Sequence, residues 1–286
     1  MELIKTSEVL RERVSARRKK GDIIGFVPTM GALHEGHLSL VKKAGKECDA
    51  VVVSIFVNPN QFNDPKDLER YPRDIETDMK LLERTPCELL FVPSVEEVYP
   101  EPDTRVFDFG RLDKRMEGKH RPGHFNGVAQ VVSRLFHIVR PDKAYFGQKD
   151  FQQLAIVRDM VRQLNLGTDV VAGSIIREPD GLAMSSRNLL LTEKQRKSAP
   201  LIADTLLESC NFVEGKSVRE VQKIVTEKIN SNPDLNVEYF EIVDGHTLQP
   251  VDNWTESDYI VGCIAVYAGE VRLIDNVVYK IRSDEH

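Results

Sequence analysis

The spacing of apolar and polar positions divides the chain into two parts. In the first, short apolar runs alternate with amphipathic stretches: DIIGFVP at 22–28, AVVVSIFV at 50–57, CELLFVP at 87–93, KAYFG at 143–147 and DVVAGSII at 169–176. Runs that are apolar almost throughout are what strands covered on both faces look like. Between them the spacing predicts helices over 35–47, 74–84, 126–139 and 151–165. Strands alternating with helices imply right-handed βαβ units and a parallel, doubly wound sheet. In such sheets ligands bind beyond the carboxyl ends of the strands, so residues that follow strands are the first candidates for function.

After residue 185 the pattern changes. Thr192 and Gln195 have the spacing of a capping box, a further helix fits 217–231, and strand-like runs follow at 237–244, 259–267 and 271–279. Helices followed by consecutive strands suggest an antiparallel α+β unit. The expected architecture is α/β: a Rossmann-like doubly wound parallel sheet over 1–184 and a smaller C-terminal α+β domain over 185–286 that closes over the site. There is no internal repeat and no low-complexity tract.

Composition narrows the class. The 286 residues suffice for one large α/β domain or two ordinary ones. With 41% apolar and 29% charged residues, no run of eighteen apolar residues and no signal-peptide core at the N-terminus, the reading is a cytoplasmic chain with no membrane partner. Cys48, Cys87, Cys210 and Cys263 are scattered, without C-x-x-C or metal-like spacing, and read as reduced core thiols. A net charge of −6 argues against nucleic acid as a partner and for a small molecule. The one basic concentration, Arg11 to Lys20, is expected on a solvent-facing helix.

Three donor-rich segments follow predicted strands. In PTMGALHEGHLSLV (28–41), His34 and His37 flank Gly36 at a helix start. A spacing of three gives about 300° of rotation and about 4.5 Å of rise, which places both rings on one face. A helix N-terminus after a strand favours bound phosphate. The zinc-protease pattern needs four-residue spacing, and H-E-G-H lacks it. Taken alone, the pair fits an ordinary polar helix start as well as a phosphate site. Gly147, Gln148, Lys149 and Asp150 follow KAYFG; there Asp150 reads either as an N-cap with Gln153 or as part of a polyphosphate site under Lys149. Met184, Ser185, Ser186, Arg187 and Asn188 form the third segment, which equally suits a plain polar connection. Asn58, Asn60, Gln61 and Asn63 supply amides for a small polar substrate or for a turn, and GKHRPGHFNG (118–127) is basic enough to meet an anion.

Together PTMGALHEGH, FVNPNQF, YPRD, RPGHFNGV, FGQKDFQQ and REPDGLAMSSRN closely resemble the pantothenate synthetase (pantoate:beta-alanine ligase) family, in its order, over about residues 25–190. MSSRN looks like the K-M-S-K-S loop of the wider H-x-G-H superfamily, with Arg187 as the remaining cation. The resemblance implies condensation of pantoate with beta-alanine through a pantoyl adenylate, with ATP as substrate, Mg2+ beside it, and a homodimer. It implies phosphate binding by His34 and His37, with His37 the proton donor, and a polyphosphate clamp of Lys149, Ser185, Ser186 and Arg187. Met30, Gly31, Gly147, Gln148, Asp150, Ile176 and Met184 would line the nucleotide site, with Asp150 at the ribose hydroxyls. Gln61 and Gln153 would hold pantoate, Gln61 would also lie near beta-alanine, and Asp78 would steady Mg2+. Two rivals remain at this point: an H-x-G-H adenylyltransferase that stops at a dinucleotide, and a non-catalytic nucleotide-binding module.

Overall fold

A computed structural model describes residues 1–62, 68–69 and 71–280. The chain forms two compact units. One comprises Met1–Phe109, Arg121–Gln148 and Gln153–Ser174; the other comprises Gly110–His120, Lys149–Gln152 and Ile175–His286.

The first unit is built on a six-stranded sheet of β1 (Glu2–Ile4), β2 (Ile24–Thr29), β3 (Ala50–Ile55), β4 (Cys87–Phe91), β5 (Lys143–Gly147) and β6 (Asp169–Gly173). All neighbours pair in parallel, in the order β1-β4-β3-β2-β5-β6. The chain winds outward from β2 to β3 and β4, then crosses to β5 on the other side of β2, so the topological switch lies between β2 and β5. β3 is buried at every position, as a strand covered on both faces must be. The helices are α1 (Ser7–Arg18), α2 (Glu35–Glu47), α3 (Ile75–Leu82) and α4 (Val95–Val98). Later in the chain come α6 (His124–Val139) and α7 (Phe151–Gln163), the latter divided between the two units. α2 buries Leu38, Leu40, Val41 and Ala44 against Val27, Val51, Val53 and Leu90 of the sheet.

Four strands or α-helices among the described residues have no counterpart in the sequence reading: the three-residue β1 and the helices Val95–Val98, Met116–His120 and Leu201–Ser209. The basic run lies on α1, where Arg13 pairs with Glu2, Arg17 with Asp22 and Glu88, and Arg18 with Asp142. Arg11, Arg13, Arg18, Lys19 and Lys20 are exposed, as expected of a solvent-facing run, and the three paired arginines are also partly neutralised within their own unit.

The second unit centres on an antiparallel sheet, β7 (Leu235–Asp244), β8 (Ile260–Ala268) and β9 (Val271–Lys280), in that order. Its helices are α5 (Met116–His120), α8 (Glu193–Ser198), α9 (Leu201–Ser209) and α10 (Val218–Asn230). α10 buries Val218, Val221, Val225 and Ile229, a stripe at helical spacing, in one core with Ile242 and Ile264 of the sheet. The capping box expected at Thr192 and Gln195 is present, and Ser217 and Glu220 form another.

This unit begins at Ile175, earlier than the 184/185 boundary read from the sequence, and takes in two segments from upstream. The physical reason is long-range. Arg177 is ion-paired to Asp275 of β9, and Glu117 of α5 accepts from both Arg272 of β9 and Tyr239 of β7. All four cysteines are free, and burial pushes each thiol up, Cys87 to about 12. No helix among the described residues is long and apolar enough to cross a membrane.

Candidate active site

The loop leaving β2 is held in an unusual conformation. Gly31 has φ +82 and Ala32, which carries a side chain, has φ +49. The clamp is Asp78 of α3: its carboxylate, only 2% exposed, accepts from the backbone N–H of Ala32 at 3.0 Å and of Leu33 at 2.7 Å. Burial raises the Asp78 carboxyl above its usual range, and those two N–H groups pull it partway back. An added Cβ at Gly31 would lie 2.9 Å from Asp78 Oδ2, so this glycine serves both φ and close approach.

The clamped loop delivers His34 as the N-cap of α2, in extended backbone, while His37 occupies the third helical position. The two are thus not both on the helix, as simple spacing had them, yet their ring centroids are 4.1 Å apart. His34 Nδ1 accepts from Gly36 N–H at 3.2 Å, and His37 Nδ1 accepts from His34 N–H at 3.3 Å. A backbone N–H can only donate, so both contacts call for an unprotonated Nδ1, which in a neutral ring leaves the proton on Nε2. The sequence cannot reveal this: the capping that makes the pair look structural is also what sets the donor.

Gln61 ends a 3-10 turn, Pro59–Gln61, directly after β3. Asn58, 1% exposed, accepts from Asn60 N–H at 3.3 Å and Tyr99 OH at 3.1 Å, and donates to Gly127 O at 3.2 Å. His124 Nδ1 lies 2.8 Å from the Gln61 carbonyl, an acceptor, so this ring donates through Nδ1. The Gln61 amide nitrogen lies 3.0 Å from Met30 Sδ, which joins the turn to the β2 loop. The basic stretch 118–127 thus contributes His124 and Gly127 to seating Gln61. Asn63 lies outside the described residues.

β5 ends at Gly147, adjacent to β2 at the switch, and a Cβ added there meets nothing within 4 Å, so the space is open. Gln148–Asp150 form a 3-10 turn before α7. Among the described residues neither Asp150 nor Gln153 makes a capping hydrogen bond, which removes the capping-box alternative for this pair.

The second unit holds the remaining candidates. Lys149 is half-buried, and its ammonium has no ion-pair or hydrogen-bond partner among the described residues. Ile176 and Met184 face each other across a hairpin, with Met184 N–H donating to Ile176 O at 2.9 Å and an Arg177–Ala183 bridge next to it. Ser185 caps the short 3-10 helix Ser186–Leu190 by accepting from Arg187 N–H at 3.3 Å, which leaves its own O–H able to donate. Asn188 locks the segment by donating to Ala183 O at 3.1 Å.

Among the described residues no cluster of three or more His, Cys, Asp or Glu has the arrangement to hold a metal ion. Asp78, expected near Mg2+, has both oxygens engaged by the β2 loop and serves as its clamp. Sequence reasoning also missed Tyr99, Arg177, Asp275 and Asn276, none of which has a local signal.

The chain as a whole matches known enzymes over nearly its full length. Residues 2–278 match the family model described as Pantoate-beta-alanine ligase. The chain is 58% identical to the pantothenate synthetase of Porphyromonas gingivalis and 55% identical to that of Bacteroides thetaiotaomicron. Each match spans 280 residues, covering 98% of this chain and 100% and 99% of those relatives. The crystal structure of pantothenate synthetase from Thermus thermophilus superposes with a TM-score of 0.92 at 45% identity, over 98% of this chain and 100% of that one. The pantoate-beta-alanine ligase of Francisella tularensis, solved with beta-gamma ATP and beta-alanine, matches with a TM-score of 0.81 at 36% identity, over 98% of both chains. Neither a dinucleotide-forming adenylyltransferase nor a non-catalytic module accounts for these matches; the chain belongs to the pantoate-beta-alanine ligase family.

Proposed function

We propose that the segments following β2, β3 and β5, with the Met184–Asn188 loop, carry the adenylation half of this ligase's reaction. The enzyme condenses pantoate with beta-alanine at the expense of ATP. A pantoate carboxylate oxygen attacks the α-phosphorus and pyrophosphate leaves; the amine of beta-alanine then attacks the acyl carbon of the adenylate and AMP leaves. A free carboxylate is a poor acyl donor, and the mixed anhydride supplies the leaving group. The demand on the protein is to stabilise charge developing on the phosphates.

The observation that carries this reading is the pair of backbone hydrogen bonds to His34 Nδ1 and His37 Nδ1. Two neutral rings with Nδ1 tied to the start of α2 present Nε2–H donors beside a helix N-terminus, where phosphate is favoured. His34 and His37 bind the phosphates, and His37 supplies the proton. Lys149, Ser185, Ser186 and Arg187 hold the polyphosphate. Met30, Gly31, Gly147, Gln148, Asp150, Ile176 and Met184 line the nucleotide, with Asp150 at the ribose hydroxyls; Gln61 and Gln153 bind pantoate. Mg2+, which favours phosphate oxygens and water over protein cages, accompanies the triphosphate and neutralises its charge. We also assign a cytoplasmic homodimer, supported by the family resemblance and by four free thiols suited to a reducing compartment; sedimentation as a monomer would overturn the dimer.

The decisive assay is AMP release with ATP, pantoate and beta-alanine, omitting one component at a time, beside pyrophosphate exchange into ATP. Exchange must require pantoate alone, and AMP release must require all three. Exchange supported by a nucleoside monophosphate in place of pantoate would refute the reading.

A further inference from the structure

β9 carries two adjacent buried polar residues that the reaction scheme above does not use. Asp275 and Asn276 are 4% and 3% exposed, on an edge strand of the three-stranded sheet. The Asp275 carboxylate accepts from both arms of Arg177, at 2.6 and 3.1 Å, and from the Asn276 N–H at 2.8 Å. Arg177 also donates to Gly181 O at 3.1 Å, so the pair grips the whole 176–184 hairpin that leads into Ser185–Arg187. Asn276 Nδ2 donates to the main-chain carbonyl of Lys149 at 3.0 Å, across 127 residues of sequence.

An apolar pair in these two positions would serve the sheet's stability as well or better, because buried charges and amides are expensive to desolvate. What the polar pair adds is direction. Consecutive residues of one strand fix two separate segments, one carrying Lys149 and the other leading to Arg187. The anchor on Lys149 is at its main chain, which fixes the Cα and leaves the ammonium to meet a ligand.

We infer that Asp275 and Asn276 are positioning residues for adenylation, holding Lys149 and the Ser185–Arg187 segment in one register so that both sets of donors meet a single polyphosphate. This rests on the assignment of Lys149 and Arg187 to ATP made above.

The test uses the full-length enzyme and separates the two half-reactions: pantoate-dependent pyrophosphate exchange, and attack of beta-alanine on preformed pantoyl adenylate. Asn276→Ala lowers exchange by about 10- to 100-fold, the scale of a small misplacement of a catalytic group, and leaves adenylate aminolysis unchanged. Asn276→Ser, which keeps a donor, restores part of the exchange rate. In a Lys149→Ala background Asn276→Ala has no further effect, because it acts through that lysine. Should Asn276→Ala not fold, Asn276→Ser and Arg177→Lys, which keeps the charge but loses the fork, carry the same comparison, with thermal melting recorded for each. Equal losses in both half-reactions, or an undiminished loss in the Lys149→Ala background, would overturn the inference. Slow exchange in Lys149→Ala with normal exchange in Asn276→Ala overturns the inference alone, whereas normal exchange in Lys149→Ala overturns the assignment of the lysine and the inference with it.

Discussion

Gly127 offers a quantitative test of how Gln61 is held. A Cβ built on this residue of α6 would lie 2.3 Å from Asn60 O, 2.8 Å from Asn60 C and 3.0 Å from Gln61 Cα, all backbone atoms that cannot swing aside. In Gly127→Ala the turn must retreat by about 1 Å to restore ordinary van der Waals contact. Two hydrogen bonds resist that retreat, from Asn58 to Gly127 O at 3.2 Å and from His124 to Gln61 O at 2.8 Å. Helix propensity favours alanine by about 1 kcal/mol while overpacking costs about 1–3 kcal/mol, so the net loss of stability is about 0–2 kcal/mol and the variant folds. The catalytic effect is larger, because a 1 Å misplacement of a substrate-binding group costs about 100-fold. Pyrophosphate exchange titrated with pantoate should therefore show kcat/KM for pantoate down by that factor, with the KM for ATP changed far less. A variant with wild-type kcat/KM for pantoate would show that the turn yields freely, and the argument that Gly127 seats Gln61 would fail.

Other outcomes follow from the same structure. His37→Ala removes the proposed phosphate donor and a helix cap together, and should lower pyrophosphate exchange by about two to three orders of magnitude; His37→Asn, which keeps a side-chain acceptor for His34 N–H, should recover melting temperature but not exchange. Equal recovery of both would refute the donor role. Asp103, whose side chain is 1% exposed between Arg105 and Arg134, is held well below the usual carboxylate range, chiefly by its hydrogen bonds to Arg105. A lowered folded value stabilises above the unfolded pKa of 3.8 and is lost as pH falls through the folded value. Asp103→Asn should therefore cost about 2 kcal/mol near neutrality, and its gap from wild type should narrow as pH drops below 4 in denaturant titrations; a constant gap would contradict the assignment. Ser217→Ala breaks the capping box of α10 and costs about 1 kcal/mol with turnover unchanged, which thermal unfolding and the AMP assay check together.

How much of this was legible in the sequence depended on distance along the chain. The α2 boundaries, the capping box at Thr192 and the strand runs around β3 and β5 coincide with the expected positions, because helix periodicity and capping act within a few residues. The strand at 169–176 did not: β6 stops at Gly173, since Ile176 is held by Met184 in a hairpin of the other unit. The resemblance implies Asp78 beside Mg2+, but its role as the clamp of residues 32–33 depends on a contact across 45 residues.

By itself the sequence determined the alternation of strands and helices, the change to an antiparallel unit, the charge class, and the ordered blocks that place the chain in its family. These are carried by local periodicity and by residue identity, which need no coordinates. Only the tertiary structure decided that the two histidines accept through Nδ1, that Gly127 and His124 seat Gln61, and that Lys149 shares an anchor on β9 with the 176–184 hairpin. A hydrogen bond has a direction and a partner, and when the partner lies 63 or 127 residues away, folding alone brings the two together.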